Sequence, residues 1–383
     1  MLYIFHTGLS SVYVIKGQWS EGNGMRIEKD SMGAMEVDEG ALYGASTQRA
    51  IDNFPISGHR MPMRLIWALA HVKWACAGVN GGLGILSQSK VALIQQACEE
   101  ILEGSHDAHF PIDVFQTGSG TSTNMNINEV IAYRGNQIGG KELSKEERLH
   151  PNDDVNQGQS SNDVMPTALH ISVALNLRDN LMPALKGLEK ALAEKAQCFA
   201  DVIKTGRTHL MDATPVTLGQ EFSGYASQIE KAIRRTEQAI DSMVPLAIGG
   251  TAVGTGINTH PEFAQGVCEC LSTRLQMPFQ LAENHFEAQA ARDDCVEVAG
   301  QLSTITASLI KIANDIRLMN SGPRCGLNEI ELPATQPGSS IMPGKVNPVM
   351  SEMLVQVCFY ANAMNDCVRR CGQDGFFELN TTI

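Results

Sequence analysis

Residues 295–316 read CVEVAGQLSTITASLIKIANDI, and the apolar members Cys295, Val298, Leu302, Ile305, Leu309, Ile312 and Ile316 recur at intervals of three and four. That spacing lays one apolar stripe along about six helical turns. Most helical stability comes from packing such a face, so a helix this long needs partners. The sequence supplies them. Leu177, Leu181, Leu185, Leu188 and Leu192 repeat the pattern within a helix predicted over about 163–202, where Pro183 is expected to introduce a bend. Further amphipathic helices are predicted near 217–244 and 346–369. From residue 62 onward no series of alternating strands with hairpin turns competes with the helical period. The fold class is therefore all-α (mainly α), an elongated bundle of long helices whose extra apolar seams suit association between subunits. No fixed-period repeat is present.

The bulk composition bounds the function. A chain of 383 residues, 43% hydrophobic and 19% charged, buries a large core and is neither disordered nor fibrous. Its net charge of -13, without any dense basic tract, argues against a nucleic-acid partner. An acidic chain that acts on an anion must build a local positive site. Ten cysteines, at 76, 98, 198, 268, 270, 295, 325, 358, 367 and 371, lack the CxxC spacing of zinc or iron–sulfur sites and read as buried or incidental thiols, although Cys367 and Cys371 share a helix face. No run approaches the roughly 18 apolar residues of a membrane span, so no membrane partner is expected. The opening MLYIFHTGLSSVYVIKGQWSEGNG carries one lysine and no arginine, which fits neither a secretory signal nor a transit peptide. Cytoplasm is the expected compartment.

The segments between the long helices have another character. Residues 116–126 (QTGSGTSTNMN), 150–163 (HPNDDVNQGQSSND), 205–212 (TGRTHLMD), 249–259 (GGTAVGTGINT) and 337–348 (PGSSIMPGKVNP) are rich in Gly, Ser, Thr and Asn. Hydroxyls, amides and free backbone N–H groups beside rigid helices hold a small anion without much net positive charge. Taken singly, each residue also has a plainer use. Ser160 to Asp163 stands where a helix cap belongs, a Gly-Ser-Ser is a turn, and a lone histidine is more often structural.

These segments resemble the shared regions of the fumarase/aspartase superfamily, and GSSIMPGKVNP at 338–348 matches its signature closely. The resemblance runs from MRIEKDSMGAMEV, beginning at Met25, through ALYGASTQRAIDNFPISG to FELN, ending at Asn380. Within the superfamily three segments favour class II fumarases. Thr208 and His209 in GRTH are fumarase-like, whereas aspartases usually carry Gln in place of the His. Ser119 in QTGSGT and Ser161 in QSSND are also fumarase-like, where aspartases tend to have Ala and Thr.

The resemblance implies reversible dehydration of L-malate to fumarate and water by anti elimination, with no cofactor and no metal. It implies that Ser339 is the base at C3 and that His209, held and charged by Glu352, works at the C2 hydroxyl through a bound water. Substrate-binding positions carried over are Ser119, Gly120, Thr121, Ser160, Ser161, Asn162, Thr208, Ser340, Lys345, Val346 and Asn347, with Lys345 and Asn347 clamping a carboxylate. His150, Pro151, Asn152 and Asp153 resemble a second dicarboxylate site, with capping or loop packing an equal alternative. The family's active site is assembled from three subunits of a homotetramer.

The same likeness implies an atypical extension at 1–24, an N-terminal domain at 25–158 and a central helical-bundle domain at 159–383. Family members continue for several dozen residues after FELN, so a bundle helix and a small C-terminal domain are expected to be missing. Asp154 stands where the family commonly has His after HPND, and Gln157-Gly158 before SSN is a second departure. Two alternatives stay open on these residues alone: an aspartate ammonia-lyase, which His209 argues against, and an inactive shortened relative acting as an assembly partner.

Overall fold

The structure, a computed structural model, describes residues 24–338 and 340–383. In chain order it places β1 (Met25–Asp30), β2 (Gly33–Asp38), α1 (Ala45–Asn53), α2 (Met63–Gly82), α3 (Gln88–Leu102), α4 (Thr121–Gly139), α5 (Ser161–Asn176) and α6 (Met182–Cys198). These are followed by β3 (Ile203–Thr208), β4 (Met211–Thr217), α7 (Leu218–Ser242), β5 (Pro245–Leu246), α8 (Phe263–Leu275), β6 (Gln280–Leu281) and α9 (His285–Ala290). Last come α10 (Asp293–Met319), α11 (Val349–Gly372), β7 (Gly375–Phe376) and β8 (Leu379–Asn380). The strands form only two-stranded sheets among the described residues, so the chain is a bundle of helices, as its periodicity requires.

The chain folds as two compact units, each discontinuous in sequence. Of the described residues, the first holds those from 24 to 172 together with Pro245–Ala291 and Gly375–Ile383. Its centre is α2, which packs on α3, α4 and α8. Ile66, Leu69, Val72, Ala75 and Cys76 are all buried, as an apolar helix at a core centre must be. The N-terminus of α1 has no side-chain cap of its own. The Glu129 carboxylate of α4 replaces one, accepting the N–H groups of Gly44, Ser46 and Thr47 and the Thr47 hydroxyl.

The second unit comprises Val173–Val244 and Arg292–Asp374. Here α6 packs on α7, α7 on α10 and α10 on α11. Of the expected α10 stripe, Val298, Ile305 and Ile312 are buried and Leu302, Leu309 and Ile316 are partly buried against one core with Leu185, Leu192, Phe222 and Ile229. Phe199, Phe222 and Tyr225 join that core in edge-to-face contacts with centroids 5.5 Å apart. The helix expected over 163–202 is interrupted. Leu177–Leu181 adopts a π turn immediately before Pro183, the second residue of α6. The stretch at 205–212 lies in a hairpin rather than an open loop. Strands β3 and β4 pair from Ile203 with Thr217 to Thr208 with Met211, with an irregularity at Gly206.

Candidate active site

In the first unit the hydroxyl-rich loops are fixed by their own polar groups. Gly120 turns the chain into α4 at φ 69°, a left-handed conformation that favours glycine, and a Cβ there would press on the Met165 side chain, 2.5 Å from its Cε. The Ser119 and Thr121 hydroxyls flanking it lie 2.6 Å apart. Gln116 Oε1 accepts from both the N–H and the hydroxyl of Thr123, which caps the start of α4. At the start of α5, Ser160 Oγ accepts from the Asn162 N–H and the Asn162 side-chain amide donates to Ala252 O at 2.7 Å. This leaves the Ser161 hydroxyl on the first residue of the helix, where an anion is favoured by the aligned peptide dipoles.

Asp163 holds these loops together from beneath. It is fully buried and accepts from the backbone N–H groups of Ser160, Gly249 and Thr251 at 2.9–3.0 Å. Burial pushes its carboxyl up to about 6 against those three donors. The cap expected at 160–163 therefore also ties the 249–259 segment to the 160 loop. The HPND segment forms a π turn, Pro151–Val155, with Pro151 in its opening positions. His150 Nδ1 accepts the Asp153 N–H, and both side chains are exposed. Asp154, which departs from the family pattern, points away from solvent: it pairs with Lys90 at 2.8 Å and accepts the His150 N–H at 2.7 Å.

In the second unit, Thr208 ends β3, and His209 and Leu210 form the two-residue tip of the hairpin with φ of 57° and 61°. Both are exposed. The base of the hairpin is held by a charge cluster that sequence reading did not find. Lys204 lies 2.5 Å from Glu221 and 2.8 Å from Glu329, and Arg207 lies 2.7 Å from the same Glu329. Burial pushes the Glu329 carboxyl up, but the two cations outweigh it and leave it below the usual range. The only signal in the sequence is the pair of cations, Lys204 and Arg207, directly flanking Thr205-Gly206 in a polar loop.

The 338–348 segment folds on itself. Lys345 Nζ donates to Asn347 Oδ1 at 2.6 Å, and the Asn347 amide donates to Gly338 O at 3.3 Å. A Cβ on Gly338 would lie 1.7 Å from Lys345 O, so the turn closes only over glycine. Ser340, Lys345 and Val346 are exposed, and Ser339 lies outside the described residues. Glu352 occupies the first turn of α11. No ion pair or hydrogen bond joins it to His209 within the chain among the described residues. The expected residues thus fall in two groups, Ser119 to Asn162 in one unit and Thr208 to Glu352 in the other. No group of three or more His, Cys, Asp or Glu residues able to hold a metal ion occurs among the described residues.

Residues 33–362 match the family model described as Lyase. A class II fumarate hydratase of Nitrosomonas europaea is 52% identical over 356 residues, 93% of this chain and 77% of that protein. That of Neisseria meningitidis is 50% identical over 355 residues, again 93% of this chain and 77% of the other. Among solved structures, the recombinant class II fumarase of Schistosoma mansoni superposes with a TM-score of 0.91 at 39% identity, covering 94% of this chain and 78% of that one.

Proposed function

We infer that this chain, which belongs to the lyase family, interconverts L-malate with fumarate and water, the hydro-lyase reaction of class II fumarate hydratases. The observation that carries this is identity of about half over 93% of the chain to proteins named for that reaction.

The chemistry assigns the parts. A base removes the C3 proton while the C2–O bond breaks on the opposite face, so hydroxide leaves as water once a proton reaches it. Ser339 is the proposed base, matched in proton affinity by backbone N–H groups of its turn. Lys345 and Asn347, already within hydrogen-bond distance of each other, supply a charge and an amide to the substrate carboxylate. His209 with Glu352 is the proposed acid/base pair at the C2 oxygen. Ser119, Thr121, Ser160, Ser161, Asn162 and Thr208 bind the remaining oxygens, and His150 to Asp153 form a second dicarboxylate site.

His209 and Glu352 do not meet within one chain, which supports a site completed by other copies in a homotetramer. None of the ten cysteines forms a disulfide, which supports a reducing cytoplasmic setting. No helix among the described residues is long and apolar enough to cross a membrane.

The test follows fumarate absorbance on adding L-malate, with L-aspartate as control and EDTA in a parallel reaction. Fumarate forms from malate, not from aspartate, and the chelator leaves the rate unchanged, because the residues named above account for base, acid and clamp. Formation from aspartate instead, or activity lost to EDTA and restored by a divalent metal, overturns this reading.

A further inference from the structure

Helix α2 reads MRLIWALAHVKWACAGVNGG, and one charge, Lys73, stands in its middle with no exposed surface. A buried ammonium is costly unless paired, and no carboxylate among the described residues lies within ion-pair distance of it. Its Nζ donates instead to two amide oxygens, Asn156 Oδ1 and Gln159 Oε1, each at 2.8 Å. Burial pushes its pKa down to about 8, opposed in part by Asp163, so the group is mostly charged at neutral pH.

An ammonium only donates, and so it dictates which end of each amide faces it. The NH2 ends must turn the other way. Asn156 Nδ2 donates to Gln159 O at 3.2 Å, and Gln159 Nε2 donates to Val155 O and Gln157 O at 3.1 and 3.2 Å. These bonds close the turn that delivers Ser160 and Ser161. Asn156 Oδ1 also accepts from the amides of Asn124 and Asn128 on α4, at 3.2 and 3.3 Å. The Asn124 amide then reaches Ser161 Oγ at 3.0 Å. Both α4 amides keep this orientation although their buried Oδ1 atoms meet no donor among the described residues. Because the ammonium holds Asn156 with its oxygen toward α4, only the NH2 ends of Asn124 and Asn128 can meet that oxygen, and this decides their orientation.

A serine hydroxyl that accepts a hydrogen bond keeps its own proton free to donate. We propose that Lys73 is a positioning residue that acts through Asn156 and Asn124 to hold the Ser161 hydroxyl as a hydrogen-bond donor to a substrate carboxylate. The inference rests on Ser161 contacting substrate, as proposed above. It assigns a function to the one buried charge of α2, whose removal from water a packing role alone does not explain.

The test is a double-mutant cycle on the full chain with L-malate, using Lys73→Met, Ser161→Ala and the double variant, with KM, kcat and thermal midpoint measured for each. A hydrogen bond to a charged group is lost in both single variants, so each raises KM about tenfold while kcat changes less. The double variant raises KM no more than either single change, because both cut one relay. If the two effects multiply, or Lys73→Met leaves KM unchanged, the relay is overturned. A purely structural role for Lys73 lowers the thermal midpoint and kcat without coupling to Ser161. Should Lys73→Met not fold, the same cycle with Asn124→Ala decides, since it cuts the relay one step nearer the hydroxyl. If the wild-type chain makes fumarate but Ser161→Ala leaves KM unchanged, the relay falls and the function stands; if the wild type makes none, the function itself falls.

Discussion

Glu329 illustrates how single residues set the site without touching its chemistry. It receives Arg207 and Lys204 together, with side-chain exposures of 14%, 23% and 8% for the three groups. Replacing Glu329 by Gln leaves two cations facing a neutral amide in a half-buried place. We expect a loss of about 2 kcal/mol, below the cost of breaking a fully buried pair because water reaches Arg207. The pH dependence has a definite sign. The native carboxyl is held below the unfolded glutamate value of about 4.3. Its contribution is therefore complete above that value and is lost as pH falls through the lower native one. Urea midpoints of wild type and Glu329→Gln, followed from pH 7 downward through the acid range, check this, since the gap should narrow on acidification. Residues of this kind were hard to read from the sequence. Ser161 and Lys345 sit in a recognisable motif, whereas Glu329 gains its meaning only from two cations more than a hundred positions away. Lys73 was the more legible of the missed residues, because a charge inside WALAHVKWACAGVN has no solvent face to occupy.

Among the elements, the long helices were readable because their apolar period is long and regular, and α7 and α11 fall within a few residues of the expected 217–244 and 346–369. The hairpin β3–β4 was not. Neither strand buries a residue, so they leave no period of two to detect. The tip explains more. Two residues with positive φ make a type I′ connection, for which Asn-Gly is strongly preferred. Here His209 and Leu210 occupy it, and each non-glycine residue in that region costs on the order of 1 kcal/mol. The acid/base role proposed for His209 accounts for a strained turn being kept there. Substituting His209→Asn and Leu210→Gly together should raise the thermal midpoint while kcat for malate falls by about a hundredfold or more, the value of a lost acid/base group. A variant no more stable than wild type would mean that the turn stores no strain, and one with normal kcat would remove His209 from the mechanism.

For the whole molecule the decisive feature is α11, which has two apolar faces and, among the described residues, packs chiefly on α10. Val355, Cys358 and Asn365 are buried, and α11 packs on α10. Met350, Met353, Val357, Tyr360, Met364 and Val368 recur at three and four residues along another face and are 37–70% exposed. This spacing is the seam of a helix that packs against another helix, and leaving it in water forgoes about 25 cal/mol per Å² of apolar surface. The surplus of seams over partners was legible in the sequence; the discontinuous division of the chain was not, because composition carries no record of which distant segments return to one unit. A second copy of the chain is the occupant proposed for the seam, and it accounts for His209 and Glu352 remaining apart within one chain. Light scattering should give four times the 41.4 kDa of the single chain. Met353→Glu with Tyr360→Glu places two carboxylates in the middle of the seam, where burial without a partner is prohibitive. The variant should scatter as a smaller species and lose most of its malate activity in parallel, with its helical circular dichroism retained. A wild-type chain that is monomeric and fully active, or a variant that dissociates without losing activity, would show that the site is completed within one chain.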